Sequence, residues 1–226
     1  MTRIASAIEE LRREIPCGVE LVAVSKFHPA EAIEEAYAAG QRRFGESRVQ
    51  ELLKKQQQLP ADIEWHFIGH LQTNKVRQLM GRVSLIESVD TEHLLEVIDS
   101  EARRAGVTAR VLMQLHVACE ETKFGFTPEE LLDYFGSRRF ERLQATHICG
   151  MMGMASNTDD THRVRSDFRQ IAEVFRAIRH DDTLGLRGFD TLSMGMSGDW
   201  PIAVEEGATI VRVGTRIFGE RDYRPQ

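Results

Sequence analysis

Three kinds of group in this chain stand out by type and position. Lys26 closes the apolar run Leu-Val-Ala-Val-Ser-Lys at 21–26, Arg212 lies inside Val-Arg-Val at 211–213, and small or hydroxyl residues gather at Ser197, Gly198, Gly214 and Thr215. Lysine is almost never fully buried unless it is paired or used. An ammonium ending an apolar strand therefore either snorkels into solvent or is an amine that attacks a carbonyl to form a Schiff base. The second reading needs an anion site and an electronic partner, and the other two groups are candidates for them. Glycines and hydroxyls let backbone N–H groups approach a phosphate closely. An interior arginine keeps its proton and must find an acceptor. That acceptor is a strand-end carboxylate such as Glu46 or Glu87, or the ring nitrogen of a pyridine cofactor. Singly, each feature has an ordinary explanation, Gly214 and Ser197 as turn residues and Arg212 as half of an ion pair. Their combination points to lysine imine chemistry beside an anion anchor.

Such groups must be brought together by the elements that carry them. Short apolar runs at 21–27, 43–46, 65–69, 85–89, 110–117, 146–153, 191–197 and 209–218 read as strands. Helical patterns lie between them, near 30–39, 47–58, 72–80, 91–105, 128–135, 159–179 and 199–206. Five of these run into Gly40, Gly81, Gly106, Gly136 and Gly207, where a left-handed residue commonly ends a helix. Strict alternation predicts right-handed crossovers and a parallel sheet, so the expected fold is α/β, a closed (β/α)8 TIM barrel forming one domain over 1–226. An open doubly wound sheet is the alternative. No eighth helix is expected after the last strand. An N-terminal amphipathic helix over 1–16, with Ile4, Ile8, Leu11 and Ile15 at helical spacing, is expected to take its place. In such a barrel functional groups sit at the C-terminal ends of strands, with phosphate after strands seven and eight. Strand parity further predicts that Ile210, Arg212 and Gly214 face inward while Val211 and Val213 meet the helices.

Composition excludes other classes. The 226 residues are 42% hydrophobic and 28% charged, with a net charge of −6 and no basic stretch to supply counterion-release affinity for nucleic acid. No segment approaches the ~20 apolar residues of a membrane span. Cys17, Cys119 and Cys149 are scattered, which suits a reducing cytoplasmic compartment and gives no zinc spacing. His66 and His70 are four apart on a strand and its turn, so no metal site is expected and satisfied structural histidines are the better reading. Gln72, Asn74 and Lys75 read as capping and solvation, and Met151, Met152 and Met154 as fillers of core space near the barrel mouth.

Longer motifs carry a resemblance. Val-Ser-Lys at 24–26, Phe-Gly-Glu at 44–46, Trp-His-Phe-Ile-Gly-His-Leu-Gln-Thr-Asn-Lys at 65–75 and Cys-Gly-Met-Met-Gly-Met-Ala at 149–155 are joined by two more. These are Leu-Ser-Met-Gly-Met-Ser at 192–197 and Val-Arg-Val-Gly-Thr-Arg-Ile-Phe-Gly at 211–219. In this order they resemble the pyridoxal phosphate homeostasis protein family, from about Leu21 to Gly219. The resemblance implies a fold-type III barrel related to that of alanine racemase, binding pyridoxal 5′-phosphate (PLP). It implies that Lys26 forms the aldimine, that Arg212 meets the pyridine nitrogen, and that Ser197, Gly214 and Thr215 hold the phosphate. Two positions depart from the family: Ser47 and His116 stand where asparagines are usual.

An arginine, unlike an aspartate, cannot give the ring nitrogen a net proton, so the ring is a weaker electron sink. Racemisation also needs a second base, supplied in the racemases by a tyrosine of another domain. The tyrosines here are Tyr37 and Tyr134, in helical segments, and Tyr223 in the tail, and the chain ends at Gln226. The expectation is a monomeric cofactor carrier without catalytic residues, exchanging PLP with apoenzymes or free amines. A small racemase recruiting Cys119, His116 or a partner's side chain is the second reading. An aldolase-type barrel, with Lys26 attacking a sugar phosphate, is the third.

Overall fold

The computed structural model describes residues 2–117 and 124–220. Eight parallel strands pair in sequence order: β1 (Glu20–Val24), β2 (Arg43–Glu46), β3 (Glu64–Phe67), β4 (Leu85–Val89), β5 (Ala109–Leu115), β6 (Thr146–Gly153), β7 (Thr191–Ser193) and β8 (Ile210–Val213). Strand β8 returns to pair with β1, Glu20 opposite Ile210 and Ala23 opposite Val213. That seam closes the expected barrel and excludes the open sheet.

Around it run α1 (Arg3–Glu14), α2 (Ala30–Ala38), α3 (Val49–Gln56), α4 (Glu92–Ala105), α5 (Pro128–Gly136), α6 (Thr161–Arg179), α7 (Trp200–Glu205) and α8 (Thr215–Phe218). The helical stretch expected after β3 forms as a 3₁₀ helix, Thr73–Gln78. Helix starts are written locally. Thr91 Oγ1 accepts from the Leu94 N–H, Thr127 and Glu130 form a reciprocal capping box ahead of Pro128, and Asp160 accepts from His162 and Arg163.

Two expectations about helix ends are corrected. A helix does follow the last strand, because β8 stops at Val213 and the Gly214 carbonyl accepts from the Ile217 and Phe218 N–H groups, winding one turn. Helix α1 still covers the seam: Ile4, Ile8 and Leu11 are buried, α1 packs on α2 and α8, and Arg216 Nη1 donates to Glu14 Oε2 at 2.7 Å. Gly40, Gly81, Gly106 and Gly207 all have positive φ, but Gly136 does not. The left-handed residue after α5 is Arg138, φ +57°, whose guanidinium bonds Glu141 and the Thr183 carbonyl, partners a glycine could not reach.

The alternating faces of the strands separate two cores. Outward residues, Val211 and Val213 among them, pack under the helices, while Val22, Leu85, Leu112, Cys149, Met152 and Ile210 fill the barrel. This is the parity expected for β8. In β6 an extra residue shifts the register between Ile148 and Gly150, so Cys149 and Met152 both point inward although they are three apart. The bulge divides the methionines: Met152 and Met154 meet the barrel interior, but Met151 lies in the outer core.

Candidate functional site

Strand β1 ends at Val24, three residues earlier than the apolar run suggested, and Lys26 sits half-buried in the turn that follows. The strand stops because Phe27 turns left-handed, with φ +68°. For a residue with a Cβ that conformation costs ~1–2 kcal/mol and persists only where surrounding contacts over-determine it. Here they do. The Phe27 N–H donates to Glu51 Oε1 at 2.6 Å, Lys55 Nζ donates to the Ser25 carbonyl at 2.9 Å, and the His28 N–H closes back onto that carbonyl at 3.1 Å. The Arg48 guanidinium lies 4.6 Å from the Phe27 ring, and His28 stacks on Phe218 of α8 at 5.0 Å.

Beneath the turn is a buried charge cluster. Glu46, at the end of β2, points outward beneath α3, and its Oε1 accepts from Ser25 Oγ at 2.6 Å and from Lys55 Nζ at 2.7 Å. Lys55 also donates to Glu51 Oε1 at 2.7 Å. Glu46 Oε2 is buried without a hydrogen-bond partner among the described residues. Burial pushes the Glu46 carboxyl up to about 7: the attraction of Lys55 opposes this, the nearby Glu51 charge adds to it, and the hydrogen bonds from Lys55 and Ser25 only partly offset it.

A second cluster occupies the barrel. Arg212 is buried, donating through Nη1 to Ser193 Oγ and through Nη2 to the Gly153 carbonyl at 3.1 Å, with Glu87 Oε2 at 3.5 Å from Nη1. Glu87, in the middle of β4 and one of the acceptors the sequence offered, is therefore its ion-pair partner. Glu46 pairs with Lys55 instead. Glu87 also bonds His66 Nδ1 at 2.6 Å and accepts from Ser193 Oγ at 2.6 Å. Burial pushes Glu87 upward, but the His66 hydrogen bond, the charges of His66 and Arg212, and the Ser193 hydroxyl together hold it below the usual carboxylate range. Burial lowers the Arg212 pKa against the charges of Glu87 and Asp199.

The third component is the pair of loops after β7 and β8. The Gly214 N–H donates to Ser197 Oγ at 3.1 Å and ties them together. Ser197 is half-buried; Gly198 and Thr215 are exposed. A Cβ on Gly214 would lie 3.2 Å from the Val24 carbonyl, so a larger residue there would push the loop a few tenths of an ångström from the end of β1. Because Val22 pairs with Arg212 across the closing seam, Lys26, Arg212, Ser197, Gly214 and Thr215 collect at the C-terminal ends of β1, β7 and β8.

Other candidates fall elsewhere. His66 and His70 are satisfied by Glu87 and by Asp90 Oδ2, the latter at 2.8 Å. Gln72 gives its 3₁₀ helix no side-chain cap, contrary to the capping expected, and its side chain is exposed. Ser47 packs on the backbone of Gly69, where an added Cβ would come within 2.7 Å of its own. His116 Nδ1 is buried without a partner among the described residues. Cys119 and Tyr223 lie outside the described residues. Sequence reasoning missed Ser25, Glu51, Lys55 and Ser193 as parts of the site. The one local signal was Glu51 and Lys55 at i, i+4 on the helix that follows Glu46.

A family model described as the alanine racemase N-terminal domain matches residues 1–222. The pyridoxal phosphate homeostasis protein of Aquifex aeolicus is 42% identical over 224 residues, covering 99% of this chain and 96% of that protein. The protein of that name in Schizosaccharomyces pombe is 36% identical over 230 residues, covering 98% and 94%. PipY of Synechococcus elongatus, solved without PLP, superposes with a TM-score of 0.89 at 40% identity, covering 96% of this chain and 100% of PipY. PipY with PLP bound gives 0.86 at the same identity and coverage. The alanine racemase of E. faecalis, at 17% identity and a TM-score of 0.71, shares the fold, and the match covers 58% of that longer chain.

Proposed function

The chain belongs to the alanine racemase N-terminal domain family, with pyridoxal phosphate homeostasis proteins as full-length relatives, and on that premise we propose that it binds PLP and serves its homeostasis, storing and delivering the cofactor. The observation that carries this reading is the closing seam, which sets the Lys26 turn beside Arg212 and the Ser197–Gly214 contact. When bound, PLP supplies an aldehyde carbon, a pyridine nitrogen and a phosphate.

The residues present fit those three groups. A guanidinium has five N–H donors, and three contacts of Arg212 go to Glu87, Ser193 and Gly153, leaving capacity for a ring nitrogen. Gly214 has no side chain to cover the loop, and hydroxyls at Ser197 and Thr215 supply donors for a phosphate. Lys26 is the residue that would hold the aldehyde carbon. Glu87 balances the charge of Arg212 and fixes its plane.

Carrying is favoured over racemising because Arg212 offers no net proton to a ring nitrogen and the described tyrosines are engaged in the helical layer. Tyr37 Oη donates to Asp62 at 2.7 Å, and Tyr134 is on the buried face of α5. Loss of the α-proton from amino acids in deuterated water separates the readings; rapid exchange would refute the pure carrier. PLP-dependent apoenzymes and free amines are the proposed acceptors, and the proposed setting is a cytoplasmic monomer. Among the described residues no helix is long and apolar enough to cross a membrane.

The deciding experiment is borohydride reduction of the protein with PLP, followed by peptide mapping. A stoichiometric pyridoxyl label on Lys26, lost in Lys26→Ala, is the expected result. Label spread over surface lysines, unchanged in the variant, would overturn the assignment.

A further inference from the structure

We propose that Glu51 and Lys55, seated on Glu46, are positioning residues for Lys26: they hold the turn that aims its amine and so set how readily the chain captures an aldehyde. The inference rests on Lys26 being the aldehyde-holding residue. Both peptide groups that flank Lys26 are tied to one ammonium. Lys55 Nζ reaches the Ser25 carbonyl directly at 2.9 Å, and reaches the Phe27 N–H through Glu51 Oε1, by two contacts of 2.7 and 2.6 Å. The third proton of Lys55 goes to Glu46 at 2.7 Å. All three donors are thus engaged, so Lys55 is not a second amine for the same aldehyde.

Stability alone does not require this arrangement. A buried ion pair contributes little net stability compared with apolar residues of the same volume. What this one provides is location: it straddles Lys26 and holds Phe27 at φ +68°, a conformation a phenylalanine does not keep unaided. A nucleophile displaced by about 1 Å can lose on the order of a hundredfold in reactivity. The clamp comes from α3 and β2, so it can set the amine's direction while lying behind it.

Glu51 is the point of test, because its side chain is 21% exposed and tolerates conservative change. Glu51→Asp keeps the charge but shortens the arm, so it cannot span Lys55 and the Phe27 N–H together. Glu51→Gln loses the charge and keeps the reach. Dissociation constants are measured for PLP and for pyridoxine 5′-phosphate, which has the phosphate and ring but an alcohol in place of the aldehyde. The borohydride label on Lys26 is quantified in parallel.

Glu51→Asp is expected to weaken PLP retention by about 10- to 100-fold, to reduce the Lys26 label, and to leave pyridoxine 5′-phosphate binding near that of the unaltered protein. Glu51→Gln is expected to retain most of both. Equal weakening of the two ligands would overturn the proposal, since that is the mark of a merely structural role. So would the reverse order, Gln worse than Asp, which would make charge rather than reach the cause. Unchanged PLP retention in Glu51→Asp would also overturn it. Should Glu51→Asp not fold, Arg48→Ala removes only the guanidinium packed on the Phe27 ring and is expected to give a smaller loss with the same selectivity for the aldehyde. Absence of label on Lys26 in the unaltered protein would instead defeat the reading of Lys26 itself.

Discussion

Glu46→Gln tests the electrostatics of the cluster under Lys26. Two effects compete at this carboxyl. Lys55 at 2.7 Å favours the ionised form, while complete burial, an Oε2 without a partner among the described residues and the neighbouring Glu51 charge disfavour it. Desolvation prevails because one ammonium is shared between two carboxylates and the carbonyl of Ser25. The folded-state value is therefore about 7 against an ordinary 4.5. With the native value raised, the unfolded chain ionises first, so native stability is present below pH 4.5 and is lost as pH rises through 7. At 1.36 kcal/mol per tenfold change in proton affinity, the loss is about 3 kcal/mol. Glutamine keeps the Oε1 acceptor for Ser25 and Lys55 and does not titrate. Urea unfolding of both proteins at pH 4.5 and pH 8 should show the stability of Glu46→Gln rising by about 3 kcal/mol relative to the unaltered protein. A pH-independent difference would mean that Lys55 balances burial, and one of opposite sign that it outweighs it; with either result the reasoning would fail.

Three further outcomes are expected. Glu87→Ala strands the buried Arg212 charge and takes the carboxylate partner from His66 Nδ1 and from the Ser193 hydroxyl, so chemical denaturation should show a loss of about 3–5 kcal/mol. Gly214→Val puts side-chain atoms against the Val24 carbonyl and over the loop. It should weaken PLP about tenfold, equivalent to losing one charge-assisted hydrogen bond, with a smaller effect on pyridoxal, which lacks the phosphate, as read by equilibrium titration. Gly150→Ala would place a Cβ 1.8 Å from the Thr191 carbonyl at φ +151°. It should destabilise the fold by about 3 kcal/mol or more, measured by the denaturation midpoint.

Periodicity and punctuation carried much of the fold. The β–α alternation implied the barrel, four of the five glycines ended helices left-handed, and the parity of β8 put Ile210 and Arg212 inside. Strand ends were less legible. The apolar run at 21–27 does not reveal that Phe27 leaves the β region, because contacts from Glu51 and Arg48 force it to do so. The run at 209–218 hides the break at Gly214 for a similar reason: Ser197, from another loop, supplies the hydrogen-bond acceptor there. The bulge in β6 altered which methionines face the barrel, and a one-residue register shift leaves no local trace when both faces are apolar. Pairings across long separations were beyond reach too: Ser193 meets Glu87 across 106 positions, and only barrel closure explains why.

Glu46 and Glu87 show how one residue type is put to two uses in this fold. Glu46 ends β2 and Glu87 lies in the middle of β4, both are fully buried, and both face a cation. They differ in how many donors each has to itself. Glu87 has His66 on one oxygen and Ser193 with Arg212 on the other, so both oxygens are engaged and it is held ionised. Glu46 gathers Ser25 and Lys55 on one oxygen, has no partner for the other among the described residues, and competes with Glu51 for the same ammonium, so burial prevails and it is pushed toward neutrality. The ionised carboxylate sits in the barrel, where a fixed negative charge keeps Arg212 aligned. The near-neutral one sits behind the Lys26 turn, on the ammonium of Lys55 and the hydroxyl of Ser25. The two acids thus differ as their donor sets differ: Glu87 keeps a counter-charge for Arg212 inside the barrel, and Glu46 shares Lys55 with Glu51 behind the Lys26 turn.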